Sequence, residues 1–310
     1  MKNNLTECTG LLKCLANYLL PLNKGDQLLS TRELAELFDA SLGSISQTVN
    51  NLEEIGAVKI NRRGHLGSFL EEKTVGILWS IIENGPMVIA LTLPTFPKCE
   101  GLATALHSLL NSAGIETYLT FIRGSLNRIK ALRHNQCHAV VTSALTTDEL
   151  KSNKEEVIMT LPPQSFVMDH RVFYRRKREE TSRPLRVGID NDSFDVKYLT
   201  ELEFSGIDVE FYQISFIQID RHIEKSFRDA QLDAAISNID HFDPLVSSEI
   251  SSRPLSPQIQ ALIGDRNSSA AIITKAGSNP TAIALKEILD PQEIMEIQQK
   301  VVDGKMVPRY

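Results

Sequence analysis

The feature that most constrains this chain is a strand–helix–strand–helix–strand run that occurs twice in its carboxy-terminal two thirds. In the first copy, residues 88–93 are an apolar run of strand length. Residues 101–113 then place Leu102, Ala105, Leu106, Leu109 and Leu110 on one helical face. Residues 116–122 form a strand, 125–135 a helix and 138–142 a strand. The second copy predicts strands at 185–189, 209–214 and 233–237, with helices at 194–204 and 221–231. Both copies close alike: His138-Ala139-Val140-Val141-Thr142-Ser143 in one, Asp233-Ala234-Ala235-Ile236-Ser237-Asn238 in the other. Such a run needs a parallel sheet with right-handed crossovers, so two copies predict two α/β lobes. Strands at 157–161 and 167–175 lack helices between them and are expected antiparallel. Strands at 250–255 and 270–275, then helices at 281–289 and 292–302, complete the chain.

The amino-terminal part has a different texture. Leu11, Leu12, Leu15, Leu19 and Leu20 lie at helical spacing before Pro21. Ser30 stands three residues before Glu33, a capping box, ahead of a short helix with Leu34, Ala35, Leu37 and Phe38. Ser44 opens a third helix with Ile45, Val49 and Leu52 inward, closed by Gly56. Residues 57–61 alternate as a strand, Arg62-Arg63-Gly64 turns, and 66–70 returns. Three short helices and a hairpin are the winged helix-turn-helix plan. Its exposed polar residues would be Ser44, Ser46, Gln47, Asn50 and Asn51 on the third helix, suited to phosphates and base edges. Lys59, Arg62, Arg63 and His65 would gather at the wing, for the backbone or minor groove. A solvated hairpin tip is the alternative for Arg62 and Arg63.

The ordered set Gly25, Leu28, Ser30, Arg32-Glu33-Leu34-Ala35, Ser41, Ser44-Ile45, Leu52, Gly56 and Val58, with the hairpin Gly64-x-x-Gly67-Ser68-Phe69, resembles the winged helix of GntR transcription regulators. That family usually carries Arg where Leu42 and Ser46 stand here, so this recognition helix has no basic residue. The two-lobed part resembles the type II periplasmic-binding-protein fold and the effector domain of LysR-type regulators. With the winged helix in front, nearly the whole chain is similar to the YhfZ family of GntR-like regulators. The resemblance implies an α/β protein with an N-terminal winged helix-turn-helix and a two-lobed periplasmic-binding-protein-like domain. It also implies double-stranded DNA and a small-molecule effector as partners, and a homodimer.

The expected division is residues 1–70 for DNA binding, 71–85 for a linker helix and 86–310 for the effector domain. Lobe one would be 86–178 with 268–310, lobe two 184–264, with hinges near 175–184 and 263–269. The linker carries Val75, Ile77, Leu78, Ile81, Ile82 and the only tryptophan, Trp79. It either joins the winged helix to the next domain or a second subunit, or simply fills its own domain.

Ligands of open α/β sheets sit beyond the carboxyl ends of strands, at helix amino termini. Lobe one brings Thr92, Thr95, Lys98, Arg123, Gly124, Ser125, Thr142 and Ser143 there; lobe two brings Asp190, Asn191, Ser193, Ser237 and Asn238. Arg123-Gly124-Ser125 reads either as an anion site built from side chain, backbone and helix dipole or as an ordinary cap. Asp190-Asn191-Asp192-Ser193 is either an opposing set of acceptors or a capped turn. An arginine facing carboxylates would suit an anionic or zwitterionic ligand.

Composition narrows the remaining classes. Lys and Arg number 33 against 39 Asp and Glu, and residues 1–75 hold 8 basic and 9 acidic residues, so neither part is basic overall. Nucleic-acid binding would therefore need a local patch. No stretch of about 18 apolar residues exists to span a membrane, and the start does not read as a secretory signal. A cytoplasmic protein is expected. Cys8, Cys14, Cys99 and Cys137 have no zinc spacing and read as buried thiols, although Cys99 near a helix start could instead be activated. No metal, phosphate-loop, dinucleotide or hydrolase-elbow motif is present, so no cofactor and no catalysis are expected. A ligand-responsive DNA-binding regulator competes with an enzyme on the two-lobe fold, and with an interaction scaffold whose winged helix no longer binds DNA.

Overall fold

The computed structural model describes residues 10–150, 154–176, 183–214, 227, 231–241, 250–277 and 279–310. Three helices come first: α1 (Leu11–Leu19), α2 (Thr31–Phe38) and α3 (Leu42–Glu54). The capping box forms: the Glu33 backbone N–H donates to Ser30 Oγ, and the Glu33 carboxylate accepts from the Ser30 backbone N–H at 2.7 Å. Helix α3 begins two residues earlier than its sequence pattern, because Ser41 caps it and accepts from the Ser44 backbone N–H. The hairpin of β1 (Val58–Arg62) and β2 (Ser68–Lys73) follows, with Gln27 bridging to Phe69.

Helix α4 (Val75–Glu83) decides between the alternatives for the linker. It packs on α1 of the winged helix and on α9 (Pro280–Ile288) of the next domain. Trp79 and Leu78 are fully buried, and the indole meets the His138 ring edge-on at 5.6 Å. One apolar cluster runs without a break from Leu15, Leu19 and Leu52 through Leu78 and Trp79 to Ile89, Leu106 and Ile272. Each fully buried large side chain contributes about 1.5–3 kcal/mol. Lys73 adds a polar tie: its ammonium donates to the Leu20 and Leu22 carbonyls and pairs with Glu287 on α9 at 2.8 Å. Gly76 is where α4 comes closest, since a Cβ there would lie 1.9 Å from the Ala113 carbonyl oxygen.

The first sheet contains β3 (Met87–Leu91), β4 (Thr117–Phe121), β5 (Ala139–Ser143), β6 (Glu155–Thr160) and β12 (Ala270–Lys275), in the order β4-β3-β5-β12-β6. Helices α5 (Pro97–Ser112) and α6 (Ser125–Arg133) make its crossovers. The second sheet contains β7 (His170–Arg175), β8 (Leu185–Ile189), β9 (Val209–Gln213), β10 (Ala234–Asn238) and β11 (Ile250–Pro254), in the order β9-β8-β10-β7-β11. Helix α7 (Phe194–Glu203) follows β8, and α8 (Pro257–Ile263) follows β11; the sequence pattern did not show α8. In each sheet the first three strands are parallel, and the fourth, β12 or β7, runs antiparallel to both of its neighbours. The repeat is therefore real at the level of topology, and β5 and β10 hold equivalent places. Helix α10 (Pro291–Val302) packs along α5.

One boundary needs correction. Strand β7 was expected in lobe one, but it pairs with β10 and β11 in the second sheet. The first crossing between lobes is thus at 161–169, and the expected hinge at 175–184 lies inside the second lobe. The polar stretch of the sequence at 176–182 follows β7 and precedes β8, two strands of one sheet, so it does not link the lobes. The two crossing segments hold each other: Phe166 N–H donates to the Ser268 carbonyl at 2.8 Å, and Ala270 N–H to Ser165 Oγ at 2.8 Å. The helix expected at 221–231, apart from Phe227 and Gln231, lies outside the described residues, as does Cys8.

The cysteines differ from expectation in part. Cys99 and Cys137 are free and buried, and burial raises both thiols, Cys137 to about 11, so Cys99 is not activated by its helix. Cys14 is disulfide-bonded. Among the described residues no helix is long and apolar enough to cross a membrane. Gly76→Ala should destabilise the protein by about 1–3 kcal/mol or more, because backbone at Ala113 must shift. Urea unfolding of the variant against the parent chain measures this.

Candidate functional site

The site forms where the carboxyl ends of β3, β4, β8 and β10 meet. Strand β4 ends at Phe121, and the chain passes through Ile122 and Arg123 to Gly124, the cap of α6 at φ 78°. Only glycine fits here, because a Cβ would also lie 2.4 Å from the Asp192 carbonyl oxygen of the other lobe. Ser125 does not cap its own helix; its Oγ accepts from the Phe194 backbone N–H, the first residue of α7, at 3.0 Å. Leu126 N–H in turn donates to the Asp192 carbonyl at 3.3 Å. The amino ends of α6 and α7 thus interlock across the cleft.

Arg123 completes this contact. Its guanidinium donates to Asp190 at 2.8 Å and to Asp192 at 2.7 Å, both in lobe two. Of the Arg123-Gly124-Ser125 segment, only the Arg123 side chain meets carboxylates, and these are the chain's own. Asp190 is 3% exposed. Burial raises its pKa, against the opposing pull of Arg123.

Behind the latch lies a cavity of about 110 Å³. Of the residues expected at the ligand, Thr92, Thr95, Arg123, Gly124, Ser125, Asp190, Ser193, Ser237 and Asn238 line it. Four do not. Lys98 reaches the Gln164 carbonyl at 2.9 Å. Thr142 is fully buried and donates to the Ser143 carbonyl. Ser143 caps the short 3-10 turn Ala144–Glu149. Asn191 is exposed and bonded to Gln213. These side chains already serve local structure, which a count from strand ends does not reveal.

Sequence reasoning missed Leu93, Phe96, Arg128, Phe166, Val167, His170, Asp195 and Val196 in the lining. Two of them carry the electrostatics. Arg128 is 3% exposed, donates one Nη to the Ile122 carbonyl at 2.8 Å, and has no partner on Nε. Burial lowers its pKa to about 10, so it stays charged at neutral pH. His170 is 3% exposed, lies 3.3 Å from the Asn267 amide, and is held below the usual imidazole value by burial. Asp195, also buried, accepts from Ser193 Oγ at 2.9 Å. Among the described residues no group of three or more His, Cys, Asp or Glu is placed to hold a metal ion.

At the other end of the molecule, Ser44, Ser46, Gln47, Asn50 and Asn51 are all exposed on α3. Lys59, Arg62, Arg63 and His65 are exposed at the wing, but their charge is partly neutralised within the domain. Arg62 turns back onto α3, pairing with Glu53 at 2.5 Å and donating to Asn50 at 3.3 Å. Lys59 pairs with Glu71 at 3.0 Å. Arg63 stacks over Phe69, 4.9 Å from the ring centre.

Comparison with known proteins adds to these features. Residues 75–310 match the family described as the YhfZ C-terminal domain, and residues 23–70 match a helix-turn-helix domain. The chain is 30% identical over 297 residues to the protein YhfZ of Escherichia coli (strain K12), covering 96% of this chain and 95% of that one. The crystal structure of YhfZ from Shigella flexneri superposes with a TM-score of 0.63 at 26% identity, covering 76% of this chain and 98% of that one. The periplasmic aliphatic sulphonate binding protein SsuA of Escherichia coli shares the fold, with a TM-score of 0.51 at 10% identity over 71% of this chain and 75% of that one.

The site's charges set two expected outcomes. Arg123→Ala leaves Asp190 buried without its cation and should cost about 2–4 kcal/mol in urea unfolding. His170 should make stability fall with acidity. Its folded-state pKa lies below the unfolded one, so its contribution is complete above the unfolded value and declines as pH drops through it. Between about pH 7.5 and about pH 5.5, the melting temperature of the parent chain should therefore fall further than that of His170→Gln. Parallel falls would contradict this.

Proposed function

Because the chain belongs to the YhfZ family, we propose that it is a transcription regulator whose winged helix-turn-helix binds DNA in response to a small metabolite held between two α/β lobes. The observation that carries this is the fusion of a helix-turn-helix domain at residues 23–70 to a cleft-bearing domain through one continuous core. Residues 1–70 bind double-stranded DNA, 71–85 form the linker and 86–310 the effector domain, with β7 counted in lobe two. The protein acts in the cytoplasm as a homodimer on a twofold site, the usual arrangement for helix-turn-helix readers. On DNA, Ser44, Ser46, Gln47, Asn50 and Asn51 face base edges and phosphates, while Lys59, Arg62, Arg63 and His65 meet the backbone. The effector is small and polar, anionic or zwitterionic, and the cleft residues bind it rather than transform it.

One observation favours a second reading. Helix α3 has no basic residue, and Arg62 is paired with Glu53. A winged helix so neutralised would serve as a protein-contact module.

Selection of fragmented genomic DNA by the purified protein separates the two. The regulator enriches a near-palindromic fragment, with affinity falling steeply in salt. Arg63→Ala should then lower the salt slope by about one unit, because one phosphate is no longer neutralised. No enrichment at low salt from folded protein would favour the protein-contact module.

A further inference from the structure

The cleft reading leaves open which chemical class the cavity selects, and the following inference rests on that reading. Two arginines line the cavity, in different states. Arg123 is neutralised across the cleft by Asp190 and Asp192. Arg128 is more deeply buried and, among the described residues, has no carboxylate within 4.0 Å; its one hydrogen bond goes to the Ile122 carbonyl, and its Nε has none. Asp195 acts on it electrostatically without forming an ion pair, and the free edge of the planar guanidinium fits two oxygens of a carboxylate side by side. The same cavity holds an opposite defect. Asn238 Oδ1 is a buried acceptor with no donor among the described residues. Asp195, buried in the same wall, is an acceptor-only group that takes a hydrogen bond from Ser193.

We propose that the cleft binds a small zwitterion of the amino-acid type, its carboxylate held by Arg128 and its ammonium group directed at Asn238 and Asp195. Arg123 is the latch that closes the lobes over it, rather than the group that recognises it. Charge supports a neutral ligand over a net anion. The ionic lining is two arginines and two aspartates, Asp190 and Asp195, with His170 kept uncharged by burial. A dianion would meet those carboxylates at close range.

The test uses full-length protein and thermal unfolding. The probes are the standard L-amino acids at millimolar concentration, with propionate, propylammonium and inorganic phosphate at matched ionic strength. At least one amino acid should raise the melting temperature by several degrees, and the three simple ions should not. Arg128→Gln should abolish that rise even where the unliganded variant is folded. A purely structural arginine would lower the melting point but leave the rise in place. Arg128→Lys keeps the charge without the fork and should weaken binding at least about tenfold by calorimetry. It also carries the test if Arg128→Gln does not fold. The proposal is overturned if propionate or phosphate alone gives the full rise, if no amino acid gives one, or if Arg128→Gln retains it. DNA selection on the same preparation is independent. A selected site with no amino-acid response sinks this inference alone, and an amino-acid response without a DNA site sinks only the regulator reading.

Discussion

The structure depends on helix α4 being buried on both sides. Its Trp79 and Leu78 belong at once to the winged-helix core and to the core of the first lobe. Gly76 lets it press against the Ala113 backbone, and Lys73 ties α1, β2 and α9 together. A flexible linker would let the two parts move independently. A shared apolar core does not, because parting it exposes large buried side chains to water. The winged helix and lobe one therefore share one core, whereas the second lobe has its own and meets lobe one across the cleft.

Under the proposed function, a cleft ligand acts on DNA binding only through differential affinity for two arrangements of the lobes. The segments 161–169 and 264–269 join the lobes, and the interlocked ends of α6 and α7 bridge the gap between them. The Arg123 pairs and the Ser125–Phe194 and Leu126–Asp192 hydrogen bonds all cross that gap. Under the proposed reading, the moving lobe must reach the DNA module through a second subunit, since within one chain the module travels with lobe one.

Much of the fold was legible in the sequence, because the rules involved are local. The capping box at Ser30 and Glu33, the leucine stripes and the matching closes of β5 and β10 each need only a few neighbouring residues. Strand β7 was not legible. An apolar strand without flanking helices carries no mark of the sheet it joins, and the polar break after it imitated a linker. In the site, strand-end reasoning found Arg123, Gly124, Ser125 and Asp190, because topology alone places them. It also took in Thr142 and Ser143, whose hydroxyls serve the backbone. Arg128 had a visible signal: it shares the inward face of α6 with Ser125, Ile129 and Leu132. A charged residue on a buried stripe marks a site more sharply than polar residues in a loop, because burial must be compensated.

Amide hydrogen exchange on the full chain tests the shared core most directly. If α4 welds the winged helix to lobe one, the slowest amides of α1, α3, β3 and β5 exchange through one opening, with a common free energy and a common response to urea. Helix α4 would be protected to the same degree. Exchange of α1 and α3 through a separate, lower-energy opening, while β3 and β5 stay protected, would show that the winged helix is a tethered domain and would contradict the account.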